Sequence, residues 1–282
     1  MAGPRPPIIG HLLVRQDGAY RRFAPIRMPL TAPTSATRFV RAIMQCDNGG
    51  LTESHAGNPM IHHLRNVLQP DELAKLRAIA ERSQFVDGRI SNPNHPLKRN
   101  QQIPQNDPAA VEPGAILRDA LFRHPELRVA AQARNMANPT ISRYEPGMSY
   151  GWHMDEALFP SQPAMRSDVS VTVFLSDPQD YDGGELMITL GQHVLPIKLA
   201  AGDAVLYPST TIHQVAPVTR GVRLVGITWI QSYIPDVAQR ELLQQIEEAR
   251  TIEMARGDKA EMRMLLLLGS LRNNLFRMWS DA

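Results

Sequence analysis

Val169-Ser170-Val171-Thr172-Val173-Phe174-Leu175 repeats valine at every second position, the period of two that a β-strand imposes on its side chains. On both sides of it, from Ile141 to Ser232, short strand-like runs alternate with Gly, Pro and Asp turns. Asp182-Gly183-Gly184 reads as a turn before a strand over Glu185 to Leu190. Val194 to Leu199 is a strand, Ala201-Gly202-Asp203 a turn, Ala204 to Tyr207 a strand, and Val222 to Ile230 the last strand. Strands this short and regularly spaced predict a β-sandwich or barrel. The mouth of a small barrel is a good place to hold a metal and one small ligand.

Helical patterns flank this block. Pro70, Asp71 and Glu72 stand where a helix begins, and Leu73, Leu76, Ile79 and Ala80 line one face of it. Ser91 to Gln105 is polar and rich in Pro and Asn, hence a loop, and Pro113 to Ala133 is helical with a break at His124-Pro125. After Pro235, Val237 to Arg256 and Asp258 to Trp279 read as two helices that Gly257 separates, with Asp258 capping the second. Leu243, Ile246 and Ala249 mark an apolar edge on the first; Met262, Leu265, Leu266 and Leu268 mark one on the second. Such a hairpin packs either on the barrel or on another subunit in a homodimer. The expected organisation is a poorly ordered leader over residues 1–59, a catalytic domain over 60–234 and a helical extension over 235–282. The leader stands apart because seven arginines oppose only Asp17, Asp47 and Glu53, and prolines punctuate it.

Composition narrows the function. A formal net charge of +2 over 282 residues, with no Lys/Arg run interleaved with aromatics, gives no support to a nucleic-acid partner. Cys46 is the single cysteine, which excludes an internal disulfide framework and any cysteine-based zinc site, and suits a reducing cytoplasm. The longest aliphatic run, Leu265 to Leu268, falls far short of the ~18 residues of a membrane span.

The chemistry centres on Arg143-Tyr144-Glu145-Pro146-Gly147-Met148-Ser149-Tyr150-Gly151-Trp152-His153-Met154-Asp155. On a strand, His153 and Asp155 point the same way. They make two-thirds of the two-His, one-carboxylate set that holds non-haem Fe(II) with open positions. His213 follows a strand, 58 residues after Asp155, a separation that can return a barrel strand to the same mouth. The remaining histidines, His95 and His193 among them, read as surface or locally bonded residues. Arg223 lies inside a strand that is apolar on both faces. If buried it needs a partner, either an internal acid or the carboxylate of a cosubstrate.

The block from about Met60 to Glu248 resembles the bacterial PKHD-type hydroxylases, a branch of the prolyl 4-hydroxylase-like Fe(II)/2-oxoglutarate dioxygenases. Beyond Arg143 to Asp155, the matching text runs from Phe174 through Asp182-Gly183-Gly184-Glu185-Leu186, from Ala201 to Ser209, and from Pro217 through Arg223 to Ser232. The leader and the C-terminal helices depart from the pattern. The resemblance implies an α+β protein with a double-stranded β-helix (jelly-roll) core braced by helices. It implies Fe(2+) on His153, Asp155 and His213, 2-oxoglutarate anchored by Arg223 with Tyr144 nearby, and L-ascorbate as a helper. It further implies O2 as co-reactant, hydroxylation of a small-molecule or peptidyl substrate, and an association with iron uptake. Two other readings fit the same residues: a noncatalytic barrel that senses iron or 2-oxoglutarate, and a His/Asp zinc hydrolase.

Overall fold

The computed structural model describes residues 60–93, 95–159 and 164–281, together with the backbone of residues 13–16 and 19–22. The chain divides into two units, Met1–Glu53 and Ser54–Ala282. In the first, β1 (Leu13–Gln16) pairs antiparallel with β2 (Ala19–Arg22); the rest of the predicted leader lies outside the described residues.

The second unit begins with β3 (His62–Leu64) and α1 (Pro70–Arg82). The start of α1 follows from Pro70 at its first position and from Glu72, whose carboxylate accepts the Gln69 N–H at 2.8 Å. Short strands β4 (Val86–Asp87), β5 (Lys98–Arg99) and β6 (Gln101–Gln102) follow. The predicted loop over 91–105 is therefore partly strand, because its backbone finds partners on strands some 50 residues ahead. Then come α2 (Val111–Arg123) and α3 (Pro125–Ala131), split at His124-Pro125 as the proline requires.

The next strands are β7 (Ala133–Met136), β8 (Thr140–Tyr144), β9 (Ser149–His153), β10 (Leu158–Phe159), β11 (Met165–Arg166) and β12 (Val169–Phe174). They are followed by β13 (Asp182–Gly183), β14 (Leu186–Leu190), β15 (His193–Ile197), β16 (Ala204–Pro208), β17 (His213–Val215), β18 (Val218–Arg220) and β19 (Arg223–Ser232). His193 thus opens a strand rather than sitting in the preceding turn. The major sheet runs β3-β16-β12-β19-β8-β6-β4, with β7 joined to β19. The minor sheet runs β15-β14-β17-β9-β5. Both are antiparallel, and they face each other as the two walls of a jelly roll.

The alternation in β12 separates two interiors. Val169, Val171 and Val173 join a core with Leu76, Leu117 and Leu121 from the helices. Phe174 turns to the other side, into a core with Tyr144, Ile188, Val205, Tyr207 and Val225 between the sheets. Every residue of β12 is buried. Ser170 and Thr172 therefore face the interior of the roll rather than solvent, as polar residues pointing at a site do.

The C-terminal pair is α4 (Val237–Met254) and α5 (Met262–Trp279). Gly257, at φ +58°, turns the chain into a 3-10 turn, and α5 starts after Glu261 instead of after Asp258. The pair packs on its own domain: Leu243 is buried and Gln244 donates to the Ala130 carbonyl at 3.0 Å. Met262 and Leu266, expected on a packed edge of α5, are exposed.

Candidate active site

The minor sheet sets the two histidines side by side. In the antiparallel pairing of β9 with β17, His153 lies opposite His213, and their ring centroids are 4.3 Å apart. The His153 Nδ1 contacts the Gly151 carbonyl oxygen at 2.7 Å, and the His213 Nδ1 contacts that of Thr211 at 2.9 Å. A carbonyl oxygen can only accept, so both Nδ1 atoms carry the proton and both Nε2 atoms present lone pairs. Burial, and then the neighbouring His213, lowers the His153 pKa to about 4, so its imidazole is neutral at physiological pH.

Asp155 closes the group. Its Oδ1 is 3.9 Å from the His153 Nε2 and 3.8 Å from the His213 Nε2. One ligand atom from each of the three residues falls within 4.8 Å of the others. The second oxygen is already committed: Oδ2 accepts from the Ser170 Oγ on β12 at 2.5 Å, and Ser170 in turn accepts from the Ser209 Oγ at 2.8 Å. The carboxylate from the minor-sheet side is thus tied to the major sheet, with one oxygen left to face the imidazoles. The three side chains are 6%, 10% and 5% exposed for His153, Asp155 and His213.

Arg223, 1% exposed, opens β19 opposite Tyr144 of β8. Its guanidinium carbon lies 5.0 Å from the Tyr144 ring centroid and 5.8 Å from that of Phe174. Its Nε and the neighbouring Tyr181 hydroxyl are both buried without a hydrogen-bond partner of good geometry among the described residues, although the guanidinium is close enough to act on that phenol. No acidic side chain pairs with Arg223 among the described residues. Gly184, at φ +68°, makes room for this arrangement: a Cβ there would lie 3.0 Å from the Arg223 Cδ and 3.1 Å from the Tyr181 Cε2.

A family model described as the 2OG-Fe(II) oxygenase superfamily matches residues 139–231, which include all three triad residues and Arg223. A PKHD-type hydroxylase of Sphingopyxis alaskensis is 44% identical over 218 residues, 77% of this chain and 98% of the relative. Another, from Paraburkholderia phymatum, is 43% identical over 230 residues, 79% of this chain and the whole of the relative. The chain belongs to the PKHD-type hydroxylases. It is an Fe(II)- and 2-oxoglutarate-dependent oxygenase, with O2 and an oxidisable substrate as the partners of the reaction. Among solved structures, a Pseudomonas putida prolyl-4-hydroxylase resembles it at a TM-score of 0.45 and 22% identity, over 61% of this chain and 92% of that one.

The hydroxylase brings His153, Asp155 and His213 together, and sets Tyr144 beneath Arg223 on the adjacent strand. It also brings in residues that sequence reasoning passed over. Tyr150 stacks on His153, with ring centroids 3.6 Å apart and planes 15° apart. His95, expected to be a surface histidine, lies edge-on to both, 4.9 Å from Tyr150 and 5.6 Å from His153. Lys98 is buried 5.0 Å over the Tyr150 ring. The signal for Tyr150 was its place three residues before His153; the irregular register between β9 and β17 turns both to one side. For His95 and Lys98 no sequence signal exists, since β5 is recruited by pairing with β9. Among the described residues, no helix is long and apolar enough to cross a membrane.

Proposed function

We propose that His153, Asp155 and His213 hold the Fe(II) of this hydroxylase and that Arg223 anchors the distal carboxylate of 2-oxoglutarate. The donor set fits the metal. Two neutral imidazoles with their lone pairs turned to one point, and one carboxylate oxygen, form the facial set suited to Fe(II). The buried, unpaired Arg223 carries the reading of the cosubstrate site. A guanidinium withdrawn from water without an acid has a standing electrostatic cost, and a dicarboxylate reaching back from the metal relieves it with a bidentate ion pair. This observation also favours the oxygenase assignment over a zinc hydrolase, which has no use for the second carboxylate site.

When bound, iron would couple the oxidative decarboxylation of 2-oxoglutarate by O2 to substrate hydroxylation, one oxygen atom of O2 going into succinate, released with CO2, and the other into a substrate C–H bond. The chain's own residues orient and shield. The carbonyls of Gly151 and Thr211 hold both imidazoles in the metal-binding tautomer. Ser170 and Ser209 keep the second Asp155 oxygen occupied, which would leave the other oxygen for the metal. Tyr144 and Phe174 wall the Arg223 guanidinium with aromatic faces. Burial raises the pKa of the Tyr144 phenol, so it stays a hydrogen-bond donor beside the cosubstrate.

The same reading assigns residues 60–234 to the oxygenase domain and 235–282 to a helical extension, with 1–59 as a dispensable leader. It places the enzyme in the cytoplasm, acting on a small molecule or peptide with L-ascorbate keeping the iron reduced, and with no nucleic-acid or membrane partner. The exposed Met262, Leu266 and Met278 on α5 support a homodimer. The deciding experiment is iron-dependent release of succinate from 2-oxoglutarate by the wild type and by Asp155→Ala. Loss of release in the variant is expected; equal turnover refutes the metal site. Binding of both ligands without succinate formation on any substrate would turn the reading to the sensor.

A further inference from the structure

We propose that Lys98 and His95 form a second carboxylate-binding subsite beside the triad, and that the substrate hydroxylated here therefore carries a free carboxylate. The proposal rests on the iron and 2-oxoglutarate reading above and extends it to the substrate.

Lys98 is only 5% exposed; the charges of Asp155 and Asp87 favour its ammonium from a distance, but no acid lies within ion-pair range of it among the described residues. Its Nζ donates to the Ser91 Oγ at 2.6 Å, and Ser91 in turn donates to the Gln102 Oε1 at 2.8 Å. An ammonium has three donors and no acceptor, and two of its protons find no acceptor among the described residues. The charge lies over the Tyr150 ring, and that ring is stacked on His153. The free positive charge is thus one aromatic ring away from the imidazole that faces the reacting centre.

The neighbouring groups are donors as well. The His95 Nδ1 accepts the Leu97 backbone N–H at 3.2 Å. The neutral ring therefore carries its proton on Nε2, for which no acceptor is found among the described residues. The Tyr150 oxygen accepts from the Asn92 Nδ2 at 3.1 Å. Its own phenolic proton finds no acceptor among the described residues. Lys98 and His95 both flank the Tyr150 ring, and donors of this kind, one of them positively charged, suit an acceptor-only anion. An alcohol or an amide would leave the charge uncompensated, at a cost that buried ions do not bear for nothing.

The test uses the full chain loaded with nickel(II), which binds such a donor set without turnover, and saturated with 2-oxoglutarate. Thermal unfolding is followed with a panel of L-amino acids and short peptides, each paired with its C-terminal amide. In the wild type at least one acid binds ten-fold or more tightly than its amide, and the same acid stimulates succinate formation by the iron enzyme. In Lys98→Met the preference for the acid disappears while the stabilisation by 2-oxoglutarate persists. Equal binding of acid and amide, no response to any acid, or an acid preference that survives in Lys98→Met overturns the subsite. If Lys98→Met instead loses its response to 2-oxoglutarate, Lys98 belongs to the cosubstrate and the proposal also falls. If nickel and 2-oxoglutarate do not stabilise the wild type at all, the iron-site reading fails first, and that outcome is read before any acid is added.

Discussion

Replacing Arg223 with methionine should make the cosubstrate-free protein more stable and the cosubstrate-bound protein less so. In the free protein the guanidinium is 1% exposed, with a buried, unpaired Nε and only aromatic faces around it. Withdrawing such an ion from water costs several kcal/mol, and exchange of buried ions for apolar side chains of similar volume commonly gains about 1–4 kcal/mol. Against this stands the loss of cation–π attraction to Tyr144 and Phe174, roughly 1–2 kcal/mol in a desolvated site. A net gain of about 1–2 kcal/mol is therefore expected for Arg223→Met without cosubstrate. Addition of 2-oxoglutarate reverses the order. At a hundred times its dissociation constant it contributes ~2.7 kcal/mol to the wild type. The variant forfeits a buried charge pair of about 3–5 kcal/mol, enough to take its affinity out of the working range. The assay is urea unfolding of both proteins with manganese(II), with and without 2-oxoglutarate. If Arg223→Met is less stable than the wild type in both states, the guanidinium is already satisfied inside the protein. The argument for a carboxylate partner then collapses.

The other predictions concern the groups around this pair. Ser170→Ala removes the hydrogen bond that occupies the Asp155 Oδ2; loss of such a partner lowers metal affinity ~10–100-fold, measurable by titration with manganese(II), and an unchanged affinity would show that Asp155 needs no tether. Gly184→Ala puts a Cβ at φ +68° within 3.0 Å of the Arg223 Cδ. It should destabilise the fold by ~1–2 kcal/mol and raise the KM for 2-oxoglutarate more than it lowers kcat; a stability loss with an unmoved KM would separate the glycine from the site. Burial holds the Lys98 pKa down at about 8, below its ordinary 10.5. A folded value below the unfolded one means that the unfolded chain binds the extra proton between these limits. The penalty is complete below pH 8 and is relieved as pH rises towards 10.5, by at most ~3 kcal/mol. Unfolding midpoints of the wild type minus those of Lys98→Met, taken from pH 7.5 to 10.5, should rise with that sign; a flat difference refutes the desolvated ammonium.

What the sequence disclosed and what it withheld have one physical cause, the range over which a side chain's environment is set. The period of two in Val169 to Leu175 is local, and β12 forms there. The same holds for the proline that splits α2 from α3 and for Gly257 between the last two helices. His153 and Asp155 were readable as a close pair, although β9 ends at His153 and Asp155 lies in the segment after it, so strand alternation is not what turns the two together; His213 was readable because a strand end precedes it. The polar members of β12 were misleading when read alone. Ser170 and Thr172 look like a solvent face, and only the second sheet, built from residues 98–99, 149–153, 186–197 and 213–215, encloses them.

The stretch around Lys98 was opaque for a stronger reason. Ser91 to Gln105 has the composition of a loop, and neither β5 nor β6 exceeds two residues. Their conformation comes from β9 and β8, which offer edges for Lys98 to pair with Tyr150 and for Gln102 to pair with Ser142. A lysine in a polar, proline-rich segment carries no sign that it will be buried. Its burial comes from tertiary neighbours such as the Tyr150 ring, with the Ser91 hydroxyl returning one hydrogen bond. Asp155 and Asp87 offset the cost of that burial only from a distance, with no acid in ion-pair range among the described residues; under the proposed reading a ligand completes the compensation, as 2-oxoglutarate would at Arg223. The two cations differ in what surrounds them: Arg223 sits between aromatic faces at the start of β19, whereas Lys98 stands among the other unused donors beside His153. Under the proposed readings the first site takes the cosubstrate that every turnover requires, and the second takes the substrate.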